Sequence, residues 1–375
     1  MRGGLQESGG GWRVVKVLHV LPRLAPGGME RLVIQLAEDA ARRGDLVAVA
    51  SAPGAWVTRV VQAGAEYVPL PASSRGGVFR MAAATARLAG CISRLRPGIV
   101  HAHNARATTL AWLALAATRH DGVLIPTLHG VHPRDYRATS QILRRIAPRV
   151  ITCAPSVGRS LEAAGFPGER IDVITNGAAL NPASSERQAE LRRHLRLGPE
   201  PLVVGMGRLV AQKDWPTFVA AASRVDGPSF VVAGDGPLRH ELADLARRSG
   251  DRVRFVGSVD DVSALVGLAE CVVSTSIWEG LPLALLEALS LGARVVATAI
   301  GGVPDVVPAD AAVLVPPKDP RALADAISRI LTDAGFAETL RQRAEAASVA
   351  WRPEQMLTLY QNAYQAASSG KPRWV

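Results

Sequence analysis

The feature that most constrains this chain is a repeated alternation of short β-branched runs with longer segments of helical periodicity. After the first run, residues 29–43 carry apolar side chains at the spacing of one helix face. Strand–helix–strand repetition of this kind predicts a parallel sheet with helices on both faces. The strand candidates of this first series are residues 14–21, 46–50, 99–103, 123–129, 150–153 and 173–174, with further helical stretches at 79–95 and 108–119.

The alternation then stops and begins again. Residues 181–201 are polar and rich in Pro, Ser and Gly around a short basic helix at 188–196, which is typical of a linker. We therefore predict two doubly wound α/β domains, at 13–180 and 202–350, with a flexible lead-in at 1–12 and a final helix within 351–375. The strand candidates of the second series are residues 202–205, 230–233, 253–255, 271–274, 294–298 and 313–315.

Composition agrees with this organisation and excludes several classes of protein. The 375 residues are 48% hydrophobic and 20% charged, which suits a core-forming protein of two domains and not a disordered chain. Three widely spaced cysteines, Cys91, Cys153 and Cys271, argue against a disulfide framework and a CxxC metal site. The longest nearly uncharged apolar stretch, residues 107–118, is shorter than the roughly 20 residues of a membrane-spanning helix.

The formal net charge of +10 is concentrated in the first half of the chain. Residues 1–180 contain 22 Lys and Arg against 11 Asp and Glu, whereas residues 181–375 contain 21 against 22. An anionic partner of the first half is therefore expected, such as a nucleic acid, a membrane surface or a phosphorylated substrate.

Ligands of doubly wound sheets bind beyond the carboxyl ends of the strands, so the strand-to-helix turns are the places to search for a site. Gly27 and Gly28 follow the first strand, where they either let a phosphate approach a helix start or only make a tight turn. Arg208 and Lys213 share the loop after strand 202–205. They combine a bidentate guanidinium with a point charge, which suits a diphosphate, although a solvated basic loop has the same spacing.

Two carboxylates, Glu279 and Glu287, flank a predicted helix start with seven residues between them. Pro282 suits the first helical turn. Glu287 lies in an apolar stretch, where a buried carboxylate needs hydrogen-bond donors such as sugar hydroxyls. In the alternative interpretation, Glu279 stabilises the helix dipole at the helix start and Glu287 lies on a solvent-exposed face of the helix.

Three histidines end strand candidates. His129 precedes a glycine, where it faces a ligand or is structural. His101 and His103 form an HxH pair before Asn104, but no third metal ligand is evident, so we predict packing for His101, cleft lining for His103 and no metal site.

These motifs, in this order, resemble the retaining GT-B glycosyltransferases of the family 4 group. The resemblance covers nearly the whole chain after Gly11 and implies a GT-B fold, in which two Rossmann-like domains face each other across a cleft. The motifs that carry it are Pro26-Gly27-Gly28-Met29-Glu30, Val100-His101-Ala102-His103-Asn104, Thr127-Leu128-His129-Gly130, Val173-Ile174-Thr175-Asn176-Gly177, Gly207-Arg208-Leu209 with Lys213, Val232-Ala233-Gly234-Asp235-Gly236-Pro237, and Glu279 followed by Glu287.

The resemblance also implies roles for individual residues. Arg208 and Lys213 would hold the donor diphosphate, Glu287 the nucleotide ribose and Glu279 the transferred sugar. His129 would lie near the anomeric carbon. The second domain would thus bind the donor and the first the acceptor, with His103 and Asn104 on the acceptor side. Further donor contacts are implied for Leu281, Pro282, Leu283, Gly27, Gly28 and Val259. Many relatives have Phe-Gly where this chain has Leu281-Pro282, which leaves the donor sugar open.

The reaction that the resemblance implies is transfer of a sugar from a nucleotide diphosphate sugar, with retention at the anomeric carbon. The donor is a substrate, so no cofactor is expected. No DxD motif occurs in the sequence, and cationic side chains are expected in place of a metal. A GT-B-like epimerase or phosphorylase is the alternative enzyme. A nucleic-acid binder is disfavoured because the chain has no basic–aromatic stripe.

The acceptor is expected to be lipid-linked or a saccharide. A phospholipid surface, at the inner face of the cytoplasmic membrane, or a pyrophosphate-linked lipid acceptor explains the basic first half better than DNA does. Residues 134–149 are strongly basic, and Ile142, Leu143 and Ile146 are interleaved as residues able to enter a bilayer. An ordinary solvated helix has the same pattern. The basic residues of this stretch are Arg134, Arg137, Arg144, Arg145 and Arg149.

Overall fold

The computed structural model describes residues 16–71, 77–371 and 374, without the side chains of residues 77 and 78. The predicted lead-in at 1–12 lies outside the described residues. The described chain forms two sheets, one of seven strands and one of six.

The seven-stranded sheet has the order β3-β2-β1-β4-β5-β6-β7. The pairs β1–β2, β1–β4, β2–β3 and β4–β5 are parallel. The strand order reverses between β1 and β4, so these two strands flank the switch point at which such sheets bind ligands. The strands are β1 (Lys16–Arg23), β2 (Leu46–Ala52), β3 (Glu66–Pro69), β4 (Ile99–His103), β5 (Val123–Leu128), β6 (Val150–Thr152) and β7 (Ile171–Val173).

The six-stranded sheet has the order β10-β9-β8-β11-β12-β13, and all its neighbouring strands are parallel. Its switch point lies between β8 and β11, which pair through Cys271 with Val203 and Val273 with Gly205. The strands are β8 (Leu202–Met206), β9 (Ser229–Ala233), β10 (Val253–Gly257), β11 (Cys271–Ser274), β12 (Val295–Thr298) and β13 (Val313–Val315).

Helices connect the strands, as the parallel pairing requires. In the first half they are α1 (Gly28–Arg42), α2 (Val57–Gln62), α3 (Gly77–Leu95), α4 (Ala105–Thr118), α5 (Tyr136–Ile146), α6 (Pro155–Ala163) and α7 (Ser185–His194). In the second half they are α8 (Trp215–Ala222), α9 (Arg239–Arg248), α10 (Val262–Leu268), α11 (Leu283–Ser290), α12 (Val303–Val306), α13 (Pro320–Thr332), α14 (Ala334–Ser348) and α15 (Pro353–Ser368).

The central strands are apolar on both faces because helices cover both sides, as the continuous apolar runs predict. All five residues of β4 are buried, including its two histidines. In the six-stranded sheet, Trp215 and Phe218 of α8 pack with Phe230 of β9 in one core cluster.

By internal contacts the chain divides into two compact units. The first contains the described residues of Met1–Thr127 together with Gln141–Ile151 and Gln361–Trp374. The second contains Leu128–Ser140 and Thr152–Tyr360, so it includes the loop after β5 and the whole six-stranded sheet. The domain limits predicted at 13–180, 181–201, 202–350 and 351–375 stay predictions.

Candidate active site

The switch point of the six-stranded sheet brings together residues that lie 66 positions apart in the chain. Arg208 and Lys213 follow β8, and Glu279 follows β11, the neighbouring strand. Lys213 ends a short 3-10 turn at Ala211–Lys213. Because the two strands are parallel neighbours, their following loops meet at one edge of the sheet.

The centre of this site is an ion pair between Lys213 and Glu279. The Lys213 Nζ donates to Glu279 Oε1 at 2.6 Å, and the Ser276 hydroxyl donates to the same oxygen at 3.0 Å. The two charged side chains are only 15% and 12% exposed. A charge-assisted hydrogen bond that is largely shielded from water is stronger than a surface pair, so both side chains are held in defined positions.

Backbone contacts join the two loops that carry this pair. The Thr275 hydroxyl donates to the carbonyl oxygen of Lys213 at 2.7 Å. The Gln212 amide donates to the carbonyl oxygen of Trp278 at 3.0 Å, and Ile277 N donates to Gln212 O at 2.9 Å. The position of the cation is therefore set by the loop that carries the carboxylate.

Two glycines allow the turns after β8 and β9 to pack backbone against backbone. Gly207 and Gly234 have φ of +148° and +149°, and a Cβ on Gly234 would collide with the carbonyl oxygen of Gly207. A Cβ on Gly207 would lie 3.1 Å from Cε of Lys213. The lysine stem thus lies directly over a position where only glycine leaves room. The exposed Arg208 follows Gly207, and its carbonyl oxygen accepts from Trp215 Nε1 at 3.0 Å.

Glu287 lies in α11 and is 5% exposed, in agreement with the buried carboxylate that the apolar surroundings predict. Pro282 is the residue that caps the start of α11, and Leu281 and Leu283 beside it are buried. Val259, in the loop after β10, packs partly buried against a core cluster of the same sheet. The predicted donor contacts of these residues stay predictions.

His129 and Gly130 lie against the glutamate loop within the second unit. A Cβ on Gly280 would collide with the carbonyl oxygen of His129 and lie 2.9 Å from the Cys153 sulfur. A Cβ on Gly130 would in turn lie 2.7 Å from Gly280 N. The glycines therefore let the backbone of His129 approach the residue that follows Glu279. Burial lowers the pKa of His129 to about 4, so its imidazole is neutral at physiological pH.

In the first unit, the predicted turn at Gly27 and Gly28 joins β1 to α1. Gly27 is the N-cap and Gly28 the first helical residue. A Cβ on Gly27 would collide with the Glu30 carboxylate, so this carboxylate lies at the helix start.

The histidines of β1 and β4 form a buried cluster at the switch point of the seven-stranded sheet. His19 Nδ1 and His103 Nε2 are 3.0 Å apart, and His101 contacts Tyr364 Oη and Thr127 Oγ1, each at 2.7 Å. His19 supplies the third member that the HxH spacing alone did not reveal. Ring nitrogens of all three lie within 4.8 Å of one another. Burial lowers the pKa of His19 to about 3, so that ring is neutral.

These contacts use the nitrogens that a metal would need, since both ring nitrogens of His101 already have hydrogen-bond partners. The packing role predicted for His101 agrees with its full burial. His103 is also fully buried, and Asn104 accepts from Ala107 N at 2.8 Å as the N-cap of α4. An acceptor role for His103 and Asn104 stays a prediction.

The basic stretch 134–149 is only partly available to an outside partner. Arg149 is 9% exposed, so it does not belong to an exposed basic face. The prediction that Leu143 could enter a bilayer is wrong, because Leu143 is 1% exposed and packs in the interior, whereas Ile142 is 41% exposed. The exposed basic residues of the stretch are Arg134, Arg137, Arg144 and Arg145. Among the described residues, no helix has both the length and the apolar character that a membrane crossing needs.

Sequence reasoning did not identify Ser276, Thr275 and Gln212, which hold the lysine–glutamate pair. The available signal was Ser274-Thr275-Ser276, a run of hydroxyl residues between a buried strand and a candidate glutamate. The last hydroxyl of this run, that of Ser276, is three residues before Glu279 and donates to its carboxylate.

The strand order and a known structure both define the fold of the protein. The fold resembles that of the Anabaena protein HepE in complex with UDP-glucose, with a TM-score of 0.85 over 94% of this chain and 100% of that one, at 22% identity. The predicted architecture of two doubly wound sheets, the GT-B fold, is confirmed.

Two regions of the chain match glycosyltransferase families. Residues 26–181 match the family described as Glycosyltransferase Family 4, and residues 200–333 match the family described as Glycosyl transferases group 1. Two consecutive regions of the chain, each less than half of its length, therefore match glycosyltransferase domains, a family 4 domain followed by a group 1 domain.

Curated relatives carry the same class of activity. The chain is 32% identical to the alpha-D-kanosaminyltransferase of Streptomyces kanamyceticus over 193 residues, 48% of this chain and 50% of the relative. It is 34% identical to the GDP-mannose-dependent alpha-(1-6)-phosphatidylinositol monomannoside mannosyltransferase of Mycobacterium tuberculosis over 214 residues, 51% of this chain and 55% of the relative. The matched region thus spans about half the length of these relatives.

Proposed function

We propose that the protein is a retaining glycosyltransferase, which transfers a sugar from a UDP- or GDP-sugar to a lipid-linked or saccharide acceptor. The observation that carries this proposal is the shielded pair of Lys213 and Glu279 at the switch point of the six-stranded sheet. A cation and a carboxylate in one place offer the two chemistries that the donor presents, an anionic diphosphate and a ring of hydroxyl donors.

The proposed chemistry follows from where charge develops. As the anomeric carbon–oxygen bond breaks, negative charge builds on the departing diphosphate. Lys213 and Arg208 would stabilise that charge, and Glu279 would hold hydroxyls of the transferred sugar. Cations that are already in position cost no reorganisation at the moment of reaction, which is why no metal is needed in this scheme.

Retention is proposed to follow a front-face route through a short-lived oxocarbenium ion pair. The acceptor oxygen attacks the face from which the diphosphate departs, and the acceptor proton passes to a phosphate oxygen. The neutral imidazole of His129 adds no positive charge beside the cationic sugar. Glu287, buried on α11, is assigned to the ribose hydroxyls, which donate hydrogen bonds to it.

The choice of substrates is supported by proteins of the same class. The Anabaena structure contains UDP-glucose, and the mycobacterial relative uses GDP-mannose on a phosphatidylinositol mannoside. A lipid-linked acceptor would also explain the excess positive charge of the first 180 residues. We place the protein in bacterial surface polysaccharide or glycolipid synthesis, in the cytoplasm and peripheral to the inner face of the membrane.

The test is incubation of the full chain with a panel of nucleotide sugars, followed by NMR. We expect release of nucleoside diphosphate from one donor and a glycoside whose anomeric configuration is that of the donor. An isomerised donor or a free sugar phosphate would show an epimerase or a phosphorylase instead. An inverted product would exclude the retaining route.

The ribose assignment has its own test. Glu287→Ala is expected to abolish saturable binding of the preferred donor, measured by calorimetry, because the ribose hydroxyls lose their acceptor. Glu241→Ala, an exposed position on α9, is the matched control and should bind like the unaltered protein. Equal affinity in Glu287→Ala would remove this role from Glu287.

A further inference from the structure

An open groove runs between α3 and α4 in the first unit, away from every residue assigned above. Its volume is about 710 Å³, within the size range of small-molecule sites. Alanines on the facing sides of the two helices leave this space, because larger side chains at those positions would fill it. The apolar residues that line the groove are Met81, Ala82, Ala86, Ala89, Leu113 and Ala117.

The groove continues toward the carboxyl edge of the seven-stranded sheet. A small cavity of about 20 Å³ is lined there by Leu21 and Pro22 of β1 and by Ala52 of β2. Met81 and Arg106 line both this cavity and the large groove. The apolar channel therefore leads to the edge of the sheet at which ligands of doubly wound folds bind.

The lining has two chemical parts. The groove is mostly apolar, with Thr85 as a polar lining residue, whereas Arg106 is the charged residue that lines both the groove and the small cavity. A ligand that satisfies both parts has a hydrocarbon chain and an anionic group at one end of it. Guanidinium groups bind phosphate with two parallel hydrogen bonds, which makes phosphate the best match for that end.

The surroundings of the groove favour a lipid over a folded protein. Phe79 on α3 is 91% exposed, and Trp112 on α4 is 41% exposed. Exposed aromatic side chains on the two helices that form an apolar groove are typical of surfaces that meet a membrane interface. The first 180 residues also carry the whole positive excess of the chain, which complements an anionic lipid.

We propose that the groove between α3 and α4 holds the hydrocarbon chain of a phosphate-linked lipid acceptor, with Arg106 against its phosphate. This inference rests on the proposed function and narrows the acceptor from lipid-linked or saccharide to a single-chain phosphorylated lipid. With its hydrocarbon chain in the groove, the lipid would have its phosphate at Arg106, next to the small cavity that the ends of β1 and β2 line.

The direct test uses the full chain and three soluble probes, each below its critical micelle concentration. Farnesyl phosphate supplies chain and phosphate, farnesol only the chain and inorganic phosphate only the anion. A charged hydrogen bond contributes about 1.5–3 kcal/mol, so farnesyl phosphate should bind about tenfold or more tightly than farnesol. Inorganic phosphate alone should bind weakly. Equal binding of farnesyl phosphate and inorganic phosphate would overturn the proposal.

Two pairs of variants locate the binding. Ala86→Trp fills the groove and should weaken the binding of farnesyl phosphate about tenfold or more, because the farnesyl group loses its apolar contacts. Ala83→Trp adds the same side chain at an exposed position of α3 outside the groove and should bind normally. Arg106→Gln should reduce the affinity for farnesyl phosphate to that for farnesol. Arg87→Gln, on α3 outside the groove, should leave the affinity for farnesyl phosphate unchanged.

The outcomes separate this inference from the proposed function. If the unaltered protein releases nucleoside diphosphate with a soluble saccharide acceptor but does not bind farnesyl phosphate, the lipid inference fails and the function stands. If it binds farnesyl phosphate but transfers no sugar from any donor to a prenyl phosphate, the acceptor role is overturned. Concentration-dependent dimerisation that Ala86→Trp abolishes would show that a second copy occupies the groove instead.

Discussion

At the scale of single residues, the pair of Lys213 and Glu279 is the most informative arrangement in the molecule. Each partner has a neighbour besides the other, Ser276 for the carboxylate and Gly207 beneath the lysine stem. Only 4 of the 43 basic residues are lysines, and one of them lies in this shielded position. Its stem lies over Gly207, where an added Cβ would be 3.1 Å from Lys213 Cε.

Removing this lysine is expected to slow the reaction far more than it weakens the fold. In Lys213→Ala, kcat/KM should fall by on the order of 10²–10³, which is the usual loss when one donor to a developing negative charge is removed. Steady-state release of nucleoside diphosphate measures this. Lys371→Ala, which removes an exposed lysine, is the control and should have ordinary kinetics.

The same variant also tests the ion pair itself. Loss of one partner leaves the other partly buried and uncompensated, so Lys213→Ala should lower the unfolding midpoint more than the double variant Lys213→Ala/Glu279→Ala does. A double variant less stable than both single variants would mean that the two charges do not depend on each other.

At the scale of elements, the site depends on loops that pack closely after parallel strands. Gly280 is one of these close positions, since its backbone lies against that of His129 and its carbonyl oxygen accepts from Gly302 N at 2.7 Å. The element that carries Glu279 is thus held between two other loops.

Gly280→Ala is expected to displace this loop, because the new methyl group collides with backbone that has no freedom to move. We expect a loss of stability of about 1–3 kcal/mol, typical of an overpacked interior position, together with weaker donor binding. Urea unfolding and calorimetry measure the two effects. Gly335→Ala near the start of α14 is the matched control, since its methyl group would have only ordinary contact, 3.6 Å from Asp333 Oδ1.

The predicted limits of β4 and β11, two strands in the middle of their sheets, match the structure, because buried runs are typical of strands covered on both faces. The predicted limits of β13 also match, although β13 lies at the edge of its sheet. β3 was missed. It lies at the edge of its sheet, and its sequence Glu-Tyr-Val-Pro has no such run.

The sequence likewise predicted only part of the candidate site, because some of its contacts depend on which strands become neighbours. Turns after buried strands predicted Lys213 and Glu279 at one edge of the sheet, and the structure pairs these two side chains. The apolar stretch predicted the burial of Glu287, and the ligand roles of all three residues stay predictions. The contributions of Ser276, of Gln212 and of His19 depend on which loops and strands become neighbours. Strand order, and not any local pattern, decides that.

At the scale of the whole molecule, the two halves of the chain differ in net charge. The paired charges of the six-stranded sheet lie in the half with 21 basic and 22 acidic residues, whereas the other half has an excess of 11 positive charges. A site that binds an anionic donor therefore needs no general positive field, because its cations are local. The excess charge is available for a large anionic surface.

The full chain is accordingly expected to float with vesicles that contain anionic phospholipid at low salt and to be released as salt shortens the Debye length to below about 8 Å. Replacing Arg134, Arg137, Arg144 and Arg145 by Gln should weaken this association, since each basic residue near such a surface contributes about 1 kcal/mol. An equal loss of charge in the second half, by Gln at the exposed Arg193, Arg247, Arg248 and Arg321, is the control. Because net charge falls equally in both variants, a matching loss of binding would mean that only total charge matters, and that the basic half has no preferred membrane face.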